Sequence, residues 1–483
     1  MSFQSTMFFC FFCVLLVLLA VSKKEKLRQI EILTASVVFY AAWDIRFLIL
    51  AVICILAAHF TVKKMLKNSK TRHHSDNKKR VLIIGIAVQL GMLCVFKYLK
   101  FFVADFIRLI GAESPGTLNI ILPVGISFYI FSAIGYIVDV YRGDIEKQAQ
   151  LYQEALFILF FPKLLQGPLH KAGDFLEQLK NEHPVKMSNI EAGMQIFLFG
   201  LIKKVVIADR LGLFVDNVYA NPVAYSGGTL LLAALTYPIQ LYCDFSGYSD
   251  MAVATAKMMG YELCQNFNLP FLSKNVAEYW RRWHMSLNVW FRDYLFYPLI
   301  RSGWVNTIRK KTKRKSKKLS KNISAILGML IVWPLIGLWH GASVNYVLHG
   351  CCYGVLMIIG QITRSSSKTE NKVIDALCVF RTQLITIFLL ILFRTSSISN
   401  MGVILKGILI WQRGISYIYI WAVVFIPLVM AVSVYAYNRN DGNGFYINLD
   451  MSKLKSKIIF CTAVIMTIVL MYVGENYFMY FQF

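Results

Sequence analysis

Apolar residues along this chain come in long, nearly unbroken runs rather than in the alternating or helical-face spacing of soluble elements. The runs fall near 7–21, 29–43, 45–62, 81–104, 119–140, 189–207, 228–258, 323–340, 344–362, 373–393, 416–437 and 458–476. Each is long enough, or nearly so, for a helix to cross a hydrocarbon core ~30 Å thick. Inside lipid every backbone N–H and C=O needs an internal partner, which an α-helix supplies. The pattern predicts an all-α polytopic integral membrane protein with about 11–12 transmembrane helices.

Two stretches do not read as simple spans. Phe157–Leu169 (FILFFPKLLQGPL) is short and interrupted, and predicts a re-entrant segment. Residues 275–300 predict one amphipathic helix, with Trp280, Trp283, Leu287, Trp290, Phe291 and Tyr294 at helical spacing and Arg281, Arg282, Asn288 and Arg292 on other faces. Aromatics beside arginines suit the membrane–water interface. No soluble domain or internal repeat stands out. The chain reads as one membrane-embedded domain over 1–483, with N-terminal helices 1–140, a core 150–362 and C-terminal helices 373–483 ending in an aromatic tail.

Charge orients these spans. The 51 Lys+Arg against 26 Asp+Glu give a formal +25, gathered in loops 22–28, 63–80, 301–321 and 453–457. Short basic loops stay cytoplasmic. Starting outside and alternating across the runs puts all four loops inside and the C-terminus outside. Lys23, Lys24 and Lys26 follow the first apolar run rather than precede it, which predicts a retained helix and not a cleaved signal peptide. The stretch Arg309–Lys321 reads as a solvated loop against anionic lipid, so no nucleic-acid partner is expected. With 57% hydrophobic and 16% charged residues, a soluble globular domain is excluded. Cys10 and Cys13 have CxxC spacing but no second ligand pair; they read as packing residues, and no metal site is expected. His73 and His74 read as solvated loop residues.

His340 is the sharpest chemical feature. It closes the apolar run Ile323–Trp339, and no other ionisable side chain lies between it and Lys321. An ionisable group at membrane depth is costly and is a functional-site candidate for that reason. Pro334, Gly337 and Gly341 add a second cue, because irregular backbone at that depth is tolerated only where protein buries it or a polar cavity borders it. The residue alone fits two roles equally: a base in a central polar cavity, or a buried histidine bonded to a neighbouring helix.

Three blocks together resemble the membrane-bound O-acyltransferase family, specifically its bacterial alginate O-acetylation branch. They are Phe161-Pro162-Lys163-Leu164-Leu165-Gln166-Gly167-Pro168-Leu169, the run Tyr242–Pro298, and Gly337-Leu338-Trp339-His340-Gly341-Ala342. The middle block follows the family pattern for about fifty residues. Departures are Leu299-Ile300-Arg301, where relatives show a Leu-Gly-Gly turn, and Leu169-His170-Lys171 after the Gly-Pro pair.

The resemblance implies transfer of an acyl group from a thioester to a hydroxyl, with 150–362 as the catalytic core. An alcohol at neutral pH is a poor nucleophile and needs a base. An imidazole titrating near ~6.5 suits that role, so His340 is expected as general base. The resemblance marks His284 as a second active-site residue that orients the donor or polarises the carbonyl; its rival reading is an interfacial histidine reaching toward headgroups. Asp244, Ser246, Arg281, Arg282 and Trp339 are expected as supporting residues. Asp244 is expected to pair with Arg281 or Arg282, since a buried carboxylate needs a partner to stay ionised. Asp250, at the other end of the same motif, reads as structural support, and His349, nine residues past His340, reads as helix-packing polarity, with a place on the same cavity as the alternative.

Charge alone exports the tail Tyr477-Phe478-Met479-Tyr480-Phe481-Gln482-Phe483. Aromatics at a helix end ordinarily form an interfacial belt. Here Phe478-Met479-Tyr480-Phe481 resembles the branch's C-terminal aromatic motif, whose tyrosine is proposed to accept the acyl group. Related D-alanylation acyltransferases take that motif from a separate peptide, so carrying it in cis favours O-acetylation.

The expected function is transfer of an acyl group, by resemblance acetyl, from a cytoplasmic thioester across a bacterial cell membrane to an extracellular cell-envelope polysaccharide. The donor would be acetyl-CoA or an acyl-carrier-protein thioester acting as substrate, with no tightly bound cofactor. Partners would be membrane lipid and an extracellular SGNH, serine-type acetyltransferase. A variant in which His340 activates the final acceptor, with Tyr480 structural, stays open. Other readings are a transporter or flippase of lipid-linked sugars, which predicts an internal repeat, and a family member acting on a lipid or protein acceptor or moving D-alanine to teichoic acid.

Overall fold

A computed structural model describes residues 1–67, 74–99, 121–181, 183–363, 371–439, 449–472 and 474. Tyr480 and His73 lie outside them. Among the described residues each apolar run falls largely on one helix. They are α1 Thr6–Val21, α2 Glu25–Ala41, α3 Arg46–Lys67, α4 His74–Leu93, α5 Ile126–Arg142, α6 Met187–Leu201, α7 Gly227–Met258, α8 Lys317–His340, α9 Val344–Ile362, α10 Lys372–Arg394, α11 Ile420–Arg439 and α12 Leu454–Leu470. Among the described residues six helices are long and apolar enough to cross a membrane: α3, α4 with its π-helical extension, α8, α9, α10 and α11. Among these residues there is no strand, only an isolated bridge between Tyr225 and Ile415. The protein is an all-α, multi-pass membrane protein.

The described residues pack into two compact units. The first draws on residues within 1–201, 248–264 and 448–460. Its core includes a phenylalanine cluster, with the Phe3 and Phe8 rings 4.9 Å apart and Phe39 and Phe161 5.3 Å apart. A buried Glu154 meets His59 Nδ1 and the Tyr136 hydroxyl, both at 2.7 Å. The segment expected to be re-entrant forms two short helices, Leu151–Leu159 and Phe161–Leu164, with every residue of Leu156–Leu169 buried. Gly125, at φ +76°, lets the chain pass so close that a Cβ there would meet Leu164 O at 2.6 Å. Cys10 and Cys13, expected to pack, sit at exposed positions of α1.

The second unit draws on residues within 202–247, 265–447 and 461–483 and holds α8, α9, α10 and α11. α8 and α9 pack backbone to backbone. A Cβ on Gly337 would meet Tyr346 O at 2.2 Å, and one on Gly350 would meet Trp333 O at 2.3 Å. Two glycines facing two carbonyls set this approach.

Residues 275–300 depart from the single helix expected of them. Val276–Arg282 and Met285–Phe291 are separate helices, broken where His284 takes a left-handed φ of +44°, and Arg292–Phe296 is π-helical. Two asparagines satisfy the backbone freed at the break. Asn288 Nδ2 donates to Trp280 O at 2.8 Å and Trp283 O at 2.7 Å, while Asn266 Oδ1 accepts from Ser286 N at 3.2 Å and Oγ at 2.6 Å. The aromatics do not form one surface belt: Tyr279, Trp280, Trp283 and Phe291 are buried, whereas Trp290, Tyr294 and Phe296 are half-exposed and Tyr297 is exposed.

Candidate active site

α8 ends at His340, and the chain turns back through residues 341–343 into α9, whose first turn Ser343 Oγ caps by accepting from Asn345 N at 3.3 Å. His340 is buried, with its ring centroid 4.8 Å from Trp339 and 5.1 Å from Phe393. It lines a cavity of about 20 Å³ together with Trp280, Trp283, His349, Tyr353 and Phe393. Such a space holds one or two small groups. The imidazole is thus set in an aromatic wall but borders a void.

His284 packs near the same indole, that of Trp339. Its ring is 5.9 Å from Trp339 and 4.6 Å from Phe245. Its Nδ1 lies 3.2 Å from Asn266 Oδ1, an oxygen that already accepts from Ser286. That network assigns the proton to Nδ1 and leaves the lone pair on Nε2. His284 lies outside the candidate spans, and burial pushes its pKa down to about 3. It is a neutral imidazole at physiological pH, and it is buried, not turned out to headgroups.

Asp244 has a different partner from the one its sequence neighbours suggested. Its carboxylate takes Lys204 Nζ at 2.6 Å, and the same ammonium reaches Asp209 at 2.7 Å. Lys203 Nζ donates to Ser246 Oγ at 3.0 Å. Arg282 instead binds Glu278 at 3.0 Å and donates to Asn268 O at 3.2 Å, while Arg281 is exposed. Asp244 and Ser246 therefore anchor the start of the 202–220 segment to α7. Both lysines lie inside the apolar run 189–207, where the apolar pattern gives no sign of the carboxylate and hydroxyl they bind.

His349 lines the cavity beside His340, with its ring 5.0 Å from Phe393 and 4.9 Å from Tyr353. In the first unit, Lys163 Nζ sits 3.6 Å from the centre of the Phe157 ring and 3.4 Å from Ser132 Oγ.

The chain matches the family model of membrane-bound O-acyltransferases over residues 1–399. It belongs to the membrane-bound O-acyltransferase family. It is 37% identical to the probable alginate O-acetylase AlgI of Pseudomonas putida over 366 residues, 74% of this chain and 70% of that protein. It is 28% identical to the peptidoglycan O-acetyltransferase of Helicobacter pylori over 428 residues, 82% and 76% of the two chains. The teichoic acid D-alanyltransferase of Streptococcus thermophilus is 30% identical over 263 residues, 53% and 61%. This membrane-bound O-acyltransferase is an enzyme, and its second unit brings two imidazoles to one tryptophan.

Proposed function

We propose that this acyltransferase takes an acetyl group from a cytoplasmic thioester, acetyl-CoA being the simplest donor, and delivers it across the cell membrane for O-acetylation of a cell-envelope polysaccharide. The observation that carries the reading is His340, a buried imidazole bordering a cavity of about 20 Å³ at the end of a membrane helix. The relatives named for alginate and peptidoglycan O-acetylation support an acetyl donor and a polysaccharide acceptor.

His340 removes the hydroxyl proton of the acceptor, Tyr480 in the relay form. The oxygen attacks the thioester carbon and the C–S bond breaks. The departing thiolate takes the proton from His340, and an acyl ester remains. Positioning by His284, Trp339 and Phe393 holds the reacting groups in line. General-base assistance of this kind is worth about 10²–10⁴-fold. The acyl-tyrosine is then passed to an extracellular serine-type acetyltransferase that esterifies the polymer.

The test uses purified protein in detergent with acetyl-labelled acetyl-CoA. Label should stay on the wild-type chain and be lost in Tyr480→Phe and His340→Ala. Release of coenzyme A with no label on the protein would favour direct transfer to the final acceptor. No release of coenzyme A would overturn the reading in favour of a transporter.

A further inference from the structure

The His340 cavity contains a hydrogen-bond donor that the fold leaves idle. Trp280 is buried and lines the cavity, and its indole Nε1–H finds no acceptor among the described residues. His349 lines it too, and its Nε2 is likewise without a partner among them. Buried polar atoms are paired in the great majority of cases, so each orphan requires an explanation. Two of them on the wall of one small void, beside an imidazole at membrane depth, point to an absent polar guest.

The indole is pinned. Its ring stands perpendicular to Tyr353 at 4.9 Å and edge-on to Trp333 at 4.9 Å. Its own carbonyl is held by Asn288 Nδ2 at 2.8 Å, next to the helix break. A donor fixed by packing needs no reorganisation when charge develops in front of it, the condition under which such groups contribute most to catalysis. An indole N–H can only donate. Its natural guest is an oxygen that gains negative charge.

We infer that Trp280 is a catalytic residue: its indole N–H holds the acyl oxygen of the thioester while that oxygen becomes an oxyanion. This rests on the acyl-transfer reading of the same cavity. When the acceptor oxygen, its proton taken by His340, bonds to the acyl carbon, the carbonyl π pair moves onto oxygen and Trp280 donates to it. When the pair returns, the C–S bond breaks and the thiolate takes the proton from His340. Trp280 neither gains nor loses a proton. The cavity of about 20 Å³ leaves room for a methyl and a carbonyl oxygen, which is the acyl part of an acetyl donor.

The experiment compares wild type, Trp280→Phe and His340→Ala with acetyl-CoA, and reads the carbonyl stretch of bound [1-¹³C]acetyl-CoA by infrared difference spectroscopy. Trp280→Phe should lower kcat by about 10²–10³-fold with KM changed far less, the size of loss seen when one oxyanion donor is removed. The bound carbonyl should absorb at lower wavenumber than the free thioester in wild type and in His340→Ala, and return toward the free value in Trp280→Phe. A purely packing role would change stability or KM and leave the band in place. An unshifted band in wild-type protein overturns the inference even if the variant does not fold, and so does a Trp280→Phe enzyme with wild-type kcat. Absence of coenzyme A release by wild type would instead strike the acyl-transfer reading itself.

Discussion

His284 and His340 are joined through one indole: Trp339 lies 5.9 Å from the first ring and 4.8 Å from the second. Neither histidine is placed by its own helix alone. His284 is held by Asn266 at a helix break, His340 by the end of α8, and Trp339 fixes the separation between them. Trp339→Leu should therefore lower turnover by about 10²-fold, the scale expected when reacting groups shift by roughly 1 Å. Trp339→Phe, which keeps a ring, should lose much less. Coenzyme A release from acetyl-CoA reads both, and wild-type turnover in Trp339→Leu would show that the indole positions nothing.

The burial of His284 carries a pH signature. Its folded pKa of about 3 lies below the ordinary value of about 6.5, so below about 6.5 the unfolded chain binds a proton that the folded chain refuses. Stability from this group is complete above about 6.5 and is lost as pH falls toward 3. His284→Gln should flatten the loss of thermal stability between pH 6.5 and pH 4. Melting curves in detergent with the same slope for both proteins would contradict the buried, neutral assignment.

Lys204 bridges Asp209 and Asp244, at 2.7 and 2.6 Å. All three are buried. Removing one partner from such a group leaves uncompensated charge, at a cost of about 3–5 kcal/mol. Lys204→Met should sharply reduce folded protein, whereas Lys204→Arg should retain most of it. Size-exclusion profiles of the detergent-extracted variants decide this. A monodisperse Lys204→Met at wild-type yield would mean that the carboxylates are neutral in the native state.

Helix identity was legible because lipid demands continuous apolar runs, and among the described residues each run lies mostly on helix. His340 was legible for the converse reason: an ionisable group ending such a run stands out. What was hidden depends on chain reversal and local bonding. His349 is nine residues from His340 in sequence, a spacing with no meaning on one helix. The turn at Gly341 places both rings on Phe393 from antiparallel helices. Helical periodicity runs unbroken through 275–300, so nothing in the spacing marks the break that Asn266 and Asn288 stabilise. Lys203 and Lys204 lie inside the apolar run 189–207, and hydropathy does not show which buried carboxylate or hydroxyl meets them. The tail with Tyr480 lies outside the described residues.

The close approach of α8 and α9 offers a way to move His340 without touching it. A methyl at Gly337 would meet backbone, Tyr346 O at 2.2 Å and Tyr346 C at 2.9 Å, so no side chain can swing aside. Gly337→Ala must push the helices apart within one turn of His340. Overpacking of this kind costs about 1–3 kcal/mol. Gly360→Ala, with open space around the added methyl, is the control on α9. Turnover should fall in Gly337→Ala well beyond any change in melting temperature and stay near wild type in the control. Equal activity in both would uncouple the helix spacing from the chemistry.

On the proposed reaction, the residues that border His340 would limit acyl length. Leu241 and Leu390 line the cavity of about 20 Å³ beside it, so a longer acyl tail placed there would press on their side chains. One extra methylene in a tight apolar pocket is discriminated by about 10–200-fold. Wild-type protein should therefore use propionyl-CoA at least tenfold less well than acetyl-CoA in kcat/KM, and butyryl-CoA worse still. Leu241→Ala removes three carbons from the wall and should narrow the acetyl-to-propionyl ratio, with acetyl turnover falling modestly because the smaller acyl group then fits loosely. The ratio, measured by coenzyme A release on one preparation, is insensitive to how much protein is folded. Equal use of acetyl and butyryl donors by wild type would place the acyl chain elsewhere than in this cavity.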